Sequence, residues 1–489
     1  MSAGVFTLTE ANEKAVENTW ESADNVWIFP DGGGPEFKFI DGTVTPAPAA
    51  TPLGQTFERV STDSSYRYTF NLGGKLRGIY ATDDLIFFAV RSDTNSILIY
   101  KRESLFTWGG VTPTISTDPD DYPPGGLRTI SFTGAASDTN WGTFLTVDDV
   151  NEKICVSSST GAQLWNYDGT GYVNIDKPAT TEGSNSDNTV GGIMSDYGKY
   201  CACGNGKVVI GNPWEARAYG STTWYQSGAV YVYNLDGTGE FKIQPSPAIL
   251  ARSNTWSGAS LRFGRSVAID SNRIIVGTPG LRPFDTYYNQ SSLQWNGGFY
   301  TYKLDGTGET EHYGQDNLSG SYGNVKTFGN FTGNWLAAKH GKIITGSGDD
   351  DQEDDPNSGI AYFIDTPDQS ASGTSTSMSS RFSNSPRDDS QFGLKTNVGK
   401  TVLSNGTTVV MYMTMAPERN RIYYHTGGYI TDYVSHSLGW TTNADREPPF
   451  DLSDSHMLIG SDRDSGPSTA YAYNIATGSS QMMVYPPIL

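Results

Sequence analysis

An all-β fold follows from three observations on the 489-residue sequence. Glycine is abundant, at 56 residues, and supplies turns. Aromatics make up 12% of the chain, with Tyr commonest at 28, while charged residues reach only 18%, the balance expected of many half-buried strands. Finally, one short strand pattern recurs along the chain, and its best copy lies at Phe263–Glu309. There, Ser266–Asp270 and Ile274–Gly277 are β-branched runs split by a two-residue turn. Phe299–Leu304 alternates aromatic and polar residues and ends at Asp305-Gly306, a hairpin signal.

In chain order, residues 1–22 hold the only good helical pattern. Thr9 is placed to cap Glu10–Trp20, with Val16 and Trp20 four apart. Val26–Phe29 and Phe37–Ile40 flank a Gly/Pro turn and read as a hairpin. Residues 43–54 form a Pro/Ala/Thr linker of extended character. Residues 1–60 are therefore read as an N-terminal arm or adaptor of helix plus hairpin, and 61–489 as the main body.

From about Tyr66 the repeats begin. Short apolar runs that follow a turn start at Leu85, Ile154, Val208, Ile274, Ile343, Val409 and Met457, spaced 48 to 69 residues apart. Each precedes a third strand, at 97–100, 163–165, 229–233, 299–302, 360–364, 422–425 and 469–473. The turns that follow repeat as well: NYDGTG at 166–171, NLDGTG at 234–239, KLDGTG at 303–308 and NIATG at 474–478. Four short strands per ~60 residues describe the blades of a propeller, since a lone blade cannot bury both faces. The expected fold is a β-propeller of about seven four-stranded blades. Closure is expected to pair an early strand, Tyr66–Phe70, with the last residues, Met482–Tyr485.

These residues resemble FG-GAP repeats. The pattern is clearest in Phe263-Gly264, Val276-Gly277-Thr278-Pro279 and Gly298-Phe299-Tyr300-Thr301-Tyr302. It is nearly as good in Val209–Pro213 with Gly228–Tyr231, and Phe328-Gly329 and Phe392-Gly393 supply two more opening dipeptides. The Leu-Asp-Gly-Thr-Gly-Glu ending is most similar to virion proteins of tailed phages infecting marine cyanobacteria. The resemblance implies a seven-bladed propeller acting as a tail, fibre or capsid-vertex component. Its partners would be other virion proteins (portal and tail, or capsid) and a glycan or receptor on the host surface.

The resemblance also places a calcium loop where this chain has the acidic stretch 348–359. Asp349, Asp351, Glu353 and Asp355 alternate there, and calcium takes six to eight oxygen ligands. Gln352-Glu353-Asp354 replaces the family's glycine turn, so a solvated acidic loop stands beside the Ca2+ reading. Two further loops are aromatic. Trp214, Tyr219, Trp224 and Tyr225 lie in 212–227, and Phe284, Tyr287, Tyr288 and Trp295 lie in 281–297. Tyr and Trp stack on sugars and also dominate protein interfaces, so a glycan, a neighbouring subunit and local packing remain open.

Other classes fit less well. A net charge of −20 opposes binding to a nucleic-acid backbone. The three cysteines, Cys155, Cys201 and Cys203, lack zinc spacing and read as reduced thiols. The opening MSAGVFTLTEANEK lacks the basic and apolar regions of a secretory signal, and no apolar run approaches the ~18 residues of a membrane helix. The expectation is synthesis in the host cytoplasm and residence in the virion. The five histidines are scattered, with neither His-Glu-x-x-His nor Gly-x-Ser-x-Gly, so no catalytic residues are assigned. The alternatives are a propeller glycosidase or lyase acting on surface polysaccharide, and a bacterial surface adhesion module.

Overall fold

The computed structural model describes residues 5–6, 26–29, 36–39, 67–72, 74–92, 95–101, 127–132, 138, 140–178, 196–219, 222–224, 226–247, 249–250, 261–281, 297–313, 335–347, 360–365, 376–377, 380–382, 395–402, 408–416, 421–425, 432–435, 449–453, 456–460 and 469–474. Strands β1 (Val5–Phe6), β2 (Val26–Phe29) and β3 (Glu36–Phe39) make a small antiparallel sheet in the order β1-β3-β2. The expected hairpin is present, with Ile28 opposite Phe37. The helix expected at Glu10–Trp20 lies outside the described residues.

The remaining described chain is an all-β, propeller-like ring of small antiparallel sheets. After β4 (Arg67–Asn71), the first sheet is β5 (Lys75–Ala81), β6 (Leu85–Arg91), β7 (Asn95–Lys101) and β8 (Leu127–Phe132). The next is β9 (Leu145–Asp148), β10 (Lys153–Ser157), β11 (Gly161–Asn166) and β12 (Val173–Asp176). Then come β13 (Tyr200–Gly204) and β14 (Lys207–Asn212), a separate hairpin of β15 (Arg217–Tyr219) and β16 (Thr222–Trp224), and β17 (Ala229–Asn234) and β18 (Phe241–Ile243), which complete that sheet. β19 (Ser266–Asp270), β20 (Arg273–Gly277), β21 (Phe299–Lys303) and β22 (Thr310–Tyr313) follow. β23 (Trp335–Lys339), β24 (Lys342–Ser347), β25 (Ile360–Asp365), β26 (Thr376–Ser377) and β27 (Ser380–Phe382) come next. The last two groups are β28 (Thr396–Val402), β29 (Thr408–Ala416), β30 (Arg421–His425) and β31 (Asp432–Ser435), then β32 (Phe450–Ser453), β33 (His456–Gly460) and β34 (Thr469–Asn474).

The apolar runs picked out in the sequence are the second strands of these sheets, and the runs after them are the third strands. The expected set of about seven regular four-stranded blades is not found; five are. Five sheets, those opening with β5, β9, β13, β23 and β28, are four-stranded with all strands drawn from one stretch of chain. Two depart from that plan. The β19–β22 sheet gains β26 as a fifth, parallel strand, with His312 opposite Thr376. The β32–β34 sheet borrows its outer strand from the distant β4, with Tyr471 opposite Thr69. The early closing strand is thus where the sequence puts it. Its partner is Thr469–Asn474 instead of 482–485, which lie outside the described residues.

The core sits between neighbouring sheets. Phe87, Ile97, Trp141 and Trp165 pack the first sheet on the second, and Val209, Val232, Phe263 and Tyr300 pack β14 and β17 on β20 and β21. Leu76 and Phe88 meet Leu458 and Ala470, which joins the last sheet to the first. Burying one such side chain contributes about 1.5–3 kcal/mol, so each interface is a sizeable hydrophobic seam.

The repeated motifs serve these seams. Phe263 is buried against Tyr300 and Tyr302, and Gly264 follows at φ 88°. A Cβ on Gly264 would lie 2.8 Å from the Ala229 carbonyl oxygen of the preceding sheet. Trp141-Gly142 and Tyr197-Gly198 are the same device, with buried rings and glycine φ of 75° and 85°. In the Asp-Gly-Thr-Gly turns, Asp168, Asp236 and Asp305 each accept hydrogen bonds from the amide and hydroxyl of the Thr two residues on. Their first glycines abut the outer strand of the preceding sheet: Gly169 at Ile130, Gly237 at Val173 and Gly306 at Phe241.

Candidate functional site

β5, β9, β13, β19, β23, β28 and β32 are the innermost strands, and residues on or directly before them line one central channel with a cavity volume of about 120 Å3. Asp148, at the end of β9, accepts the Gly206 amide at 2.7 Å, and Asp270, at the end of β19, accepts that of Gly341 at 2.7 Å. Each carboxylate reaches just past the end of the next inner strand, so neighbouring inner strands run the same way. The channel therefore has a mouth at the strand starts and another at the strand ends.

A buried polar cluster joins the ends of β5 and β23 to the second residues of β28 and β32. Lys339 Nζ lies 2.6 Å from Asp451 Oδ2 and 3.9 Å from the centre of the Tyr80 ring. Asp451 is fully buried and also accepts from the Ala81 amide at 2.8 Å, Asn397 Nδ2 at 3.1 Å and the Leu452 amide at 2.8 Å. Burial raises the Asp451 carboxyl above the ordinary carboxylate range, although the Lys339 ammonium opposes that shift. Burial, then the Asp451 charge, raises the Tyr80 hydroxyl well above its ordinary value. The group ties β5, β23, β28 and β32 together, a structural clamp across almost half of the ring.

Aromatic rings bound the mouth at the strand starts. Phe144, just before β9, stacks on Trp335, the first residue of β23, with centroids 5.7 Å apart and planes at 14°. Two inner strands separate β9 from β23 around the ring, so this pair spans the channel. Tyr200, at the start of β13, meets Phe144 edge-on at 5.3 Å.

Of the aromatic candidates from the sequence, Trp214 is partly buried. Its indole N–H donates to Asp196 at 2.7 Å, and the Arg262 guanidinium lies 4.8 Å from its ring centre. The next residue, Glu215, is fully buried. It accepts from Asn212 Nδ2 and the Tyr231 hydroxyl at 2.8 Å each and pairs with Lys242. This knot anchors the base of the loop, a role the sequence reading missed because it weighed the loop's rings and not its lone acid. The backbones of Tyr219 and Trp224 lie in β15 and β16, with Arg217 opposite Trp224. Tyr225, Phe284, Tyr287, Tyr288 and Trp295 lie outside the described residues, as do the calcium candidates Asp349, Asp351, Glu353 and Asp355. The described strand ends flanking these segments share a topology. Asn212 faces Ala229, Gly277 faces Phe299 and Ser347 faces Ile360, so every one links a second strand to a third.

All three cysteines are buried free thiols, with Cys155 and Cys201 sulfurs 3.7 Å apart. Among the described residues no group of three or more His, Cys, Asp or Glu side chains is arranged to hold a metal ion. Among them, too, no helix is long and apolar enough to cross a membrane.

No protein-family model matches the chain, and no curated protein is similar to it in sequence. Among solved structures, the crystal structure of the computationally designed Ika8 protein aligns at 9% identity with a TM-score of 0.38, covering 82% of this chain and 96% of that one.

Proposed function

We propose that this chain is a structural and adhesive virion protein of a tailed phage, built on a propeller of about seven FG-GAP-like blades. Residues 1–60 attach it to the particle, on the tail or at a capsid vertex. The loops that link second to third strands meet a neighbouring subunit or a host-surface glycan. Acidic residues 349–355 are offered as a calcium-binding stretch within that loop set. The main support is topological. The segments holding the aromatic and acidic candidates all leave the ring from the same kind of strand end, in three successive sheets, on a scaffold closed by β4. A closed ring protects its strand edges and offers a rigid rim, which suits adhesion.

Mass spectrometry and antibody labelling of purified particles test this reading. The protein is expected in the particle, labelled at the tail or vertices, and its absence from particles ends the proposal. Reducing-sugar release from host polysaccharide by the purified protein would move the assignment to a polysaccharide-cleaving enzyme.

A further inference from the structure

The three free thiols lie together in the seam between the sheets that open with β9 and β13. Cys155 is on β10, the second strand of one sheet, and Cys201 and Cys203 are on β13, the innermost strand of the next. Two residues apart on one strand, Cys201 and Cys203 share a face, and that face packs toward Cys155. The Cys155 and Cys201 sulfurs are 3.7 Å apart. Cys203 lies near Cys155 too, but its sulfur also faces Thr146 Oγ1 at 3.6 Å and the Lys153 carbonyl oxygen at 3.9 Å. The cluster therefore holds one close sulfur pair and a third thiol with oxygen partners of its own. All three are buried, while Cys201 and Cys203 border the central channel.

We propose that Cys155 and Cys201 are a redox modification site, which a peroxide entering by the channel oxidises to a disulfide that staples β10 to β13. Cys201, which borders the channel, meets the peroxide first. Its sulfur attacks one peroxide oxygen, the O–O bond breaks, and a sulfenic acid and one water form. The Cys155 sulfur then attacks the sulfenic sulfur, the S–O bond breaks, and the oxygen leaves as a second water with the Cys155 proton. Two thiols and one hydrogen peroxide thus give one disulfide and two waters, the sulfurs losing the two electrons that the peroxide gains. A disulfide spans ~2.0 Å, so the sulfurs, now 3.7 Å apart, close by roughly 1.7 Å in total. The hydrogen bond with Cys201 raises the Cys155 thiol well above its ordinary value, and burial does the same to Cys203. Both stay protonated at neutral pH, so the cluster is reduced until peroxide accumulates. The site is separate from the rim loops and needs neither a virion nor a glycan.

Peptide mapping of the full chain after treatment with hydrogen peroxide tests this. The native protein is oxidised, its remaining thiols are alkylated after unfolding, and its peptides are compared with and without reductant. One Cys155–Cys201 link within a single chain is expected, together with an alkylated Cys203. The melting temperature should rise, and reductant should reverse the rise, because the link joins residues 46 apart and restricts the unfolded chain. Cys203→Ala should keep the link, and Cys201→Ala should lose both the link and the rise. Melting of the reduced variants separates a lost link from a lost fold. Three alkylated cysteines, a link through Cys203, sulfinic or sulfonic acids in place of a disulfide, or a link that leaves melting unchanged overturns the proposal.

Discussion

Lys339 and Asp451 form an ion pair at 2.6 Å across the inner wall of the ring, with the Asp451 side chain fully buried. Because 112 residues separate them, the pair exists only once β23 and β32 are both in place around β28. Removing one partner strands a buried charge, so Lys339→Met should destabilise the protein by about 3–5 kcal/mol. Lys339→Met/Asp451→Asn removes both charges while keeping a carbonyl oxygen for the surrounding N–H donors. It should recover much of the loss. Urea unfolding of the three proteins checks this, and a double variant no more stable than the single one would argue against the clamp.

His312 gives the fold an acid sensitivity. It is buried on β22, shares a 2.9 Å hydrogen bond with Thr301 Oγ1 and stacks on Phe299. Burial, with a smaller contribution from the Arg273 charge, lowers its pKa to about 3. The unfolded chain takes up that proton near pH 6.5, so the neutral imidazole's contribution is complete above about pH 6.5 and drains away as pH falls toward 3. The slope is at most about 1.4 kcal/mol per pH unit. His312→Gln, which keeps a hydrogen-bonding nitrogen without the titration, should lose less stability between pH 7 and 4.5 than the unmodified protein. Equal losses in urea midpoint would remove His312 as the sensor.

β4 closes the ring and should control solubility as much as stability. Its five residues, from Arg67 to Asn71, pair with Tyr473 back to Thr469. Deleting residues 1–60 should leave the melting temperature of the ring nearly unchanged. Deleting 1–72 exposes the β34 edge, an invitation to edge-to-edge pairing. Sedimentation should then show concentration-dependent association together with a lower melting temperature. A monomeric 1–72 deletion with unaltered melting would show that β4 is dispensable.

Much of this architecture was readable from periodicity, because second and third strands carry apolar and Tyr-rich runs that insertions in loops cannot disguise. Other features were hidden for physical reasons. The position opening a sheet requires a flat buried ring followed by a positive-φ glycine, and Trp141-Gly142 and Tyr197-Gly198 meet that need as well as Phe263-Gly264 does. A search for Phe alone passes over them. β26 is two residues long and pairs with a neighbouring sheet, so no local pattern announces it. The channel is the extreme case. The Ala81 amide and the Asp451 carboxylate meet across 370 residues, and nothing near either position in sequence marks it as facing an axis. Of the rim candidates, Trp214 has its indole N–H bonded to Asp196 and its ring beside Arg262, contacts that no local sequence pattern announces.

The Asp-Gly-Thr-Gly turns behave as spacers between sheets. At Asp305 the side-chain hydrogen bond from Thr307, then its amide, lowers the carboxyl pKa, so the acid is already engaged within its own turn. Gly306 sits at φ 80°, and a Cβ there would lie 2.7 Å from Phe241 Cε2 of the preceding sheet. Gly306→Ala therefore meets both a left-handed backbone penalty of about 1–2 kcal/mol and a steric push on the ring. Gly206, at φ 78° with no atom within 4 Å of its Cβ position, carries the backbone penalty alone. Gly306→Ala should lower stability more than Gly206→Ala, and Phe241→Leu, which shortens the opposing ring, should narrow the gap. Equal effects of the two alanines would mean that the turn does not bear on its neighbouring sheet.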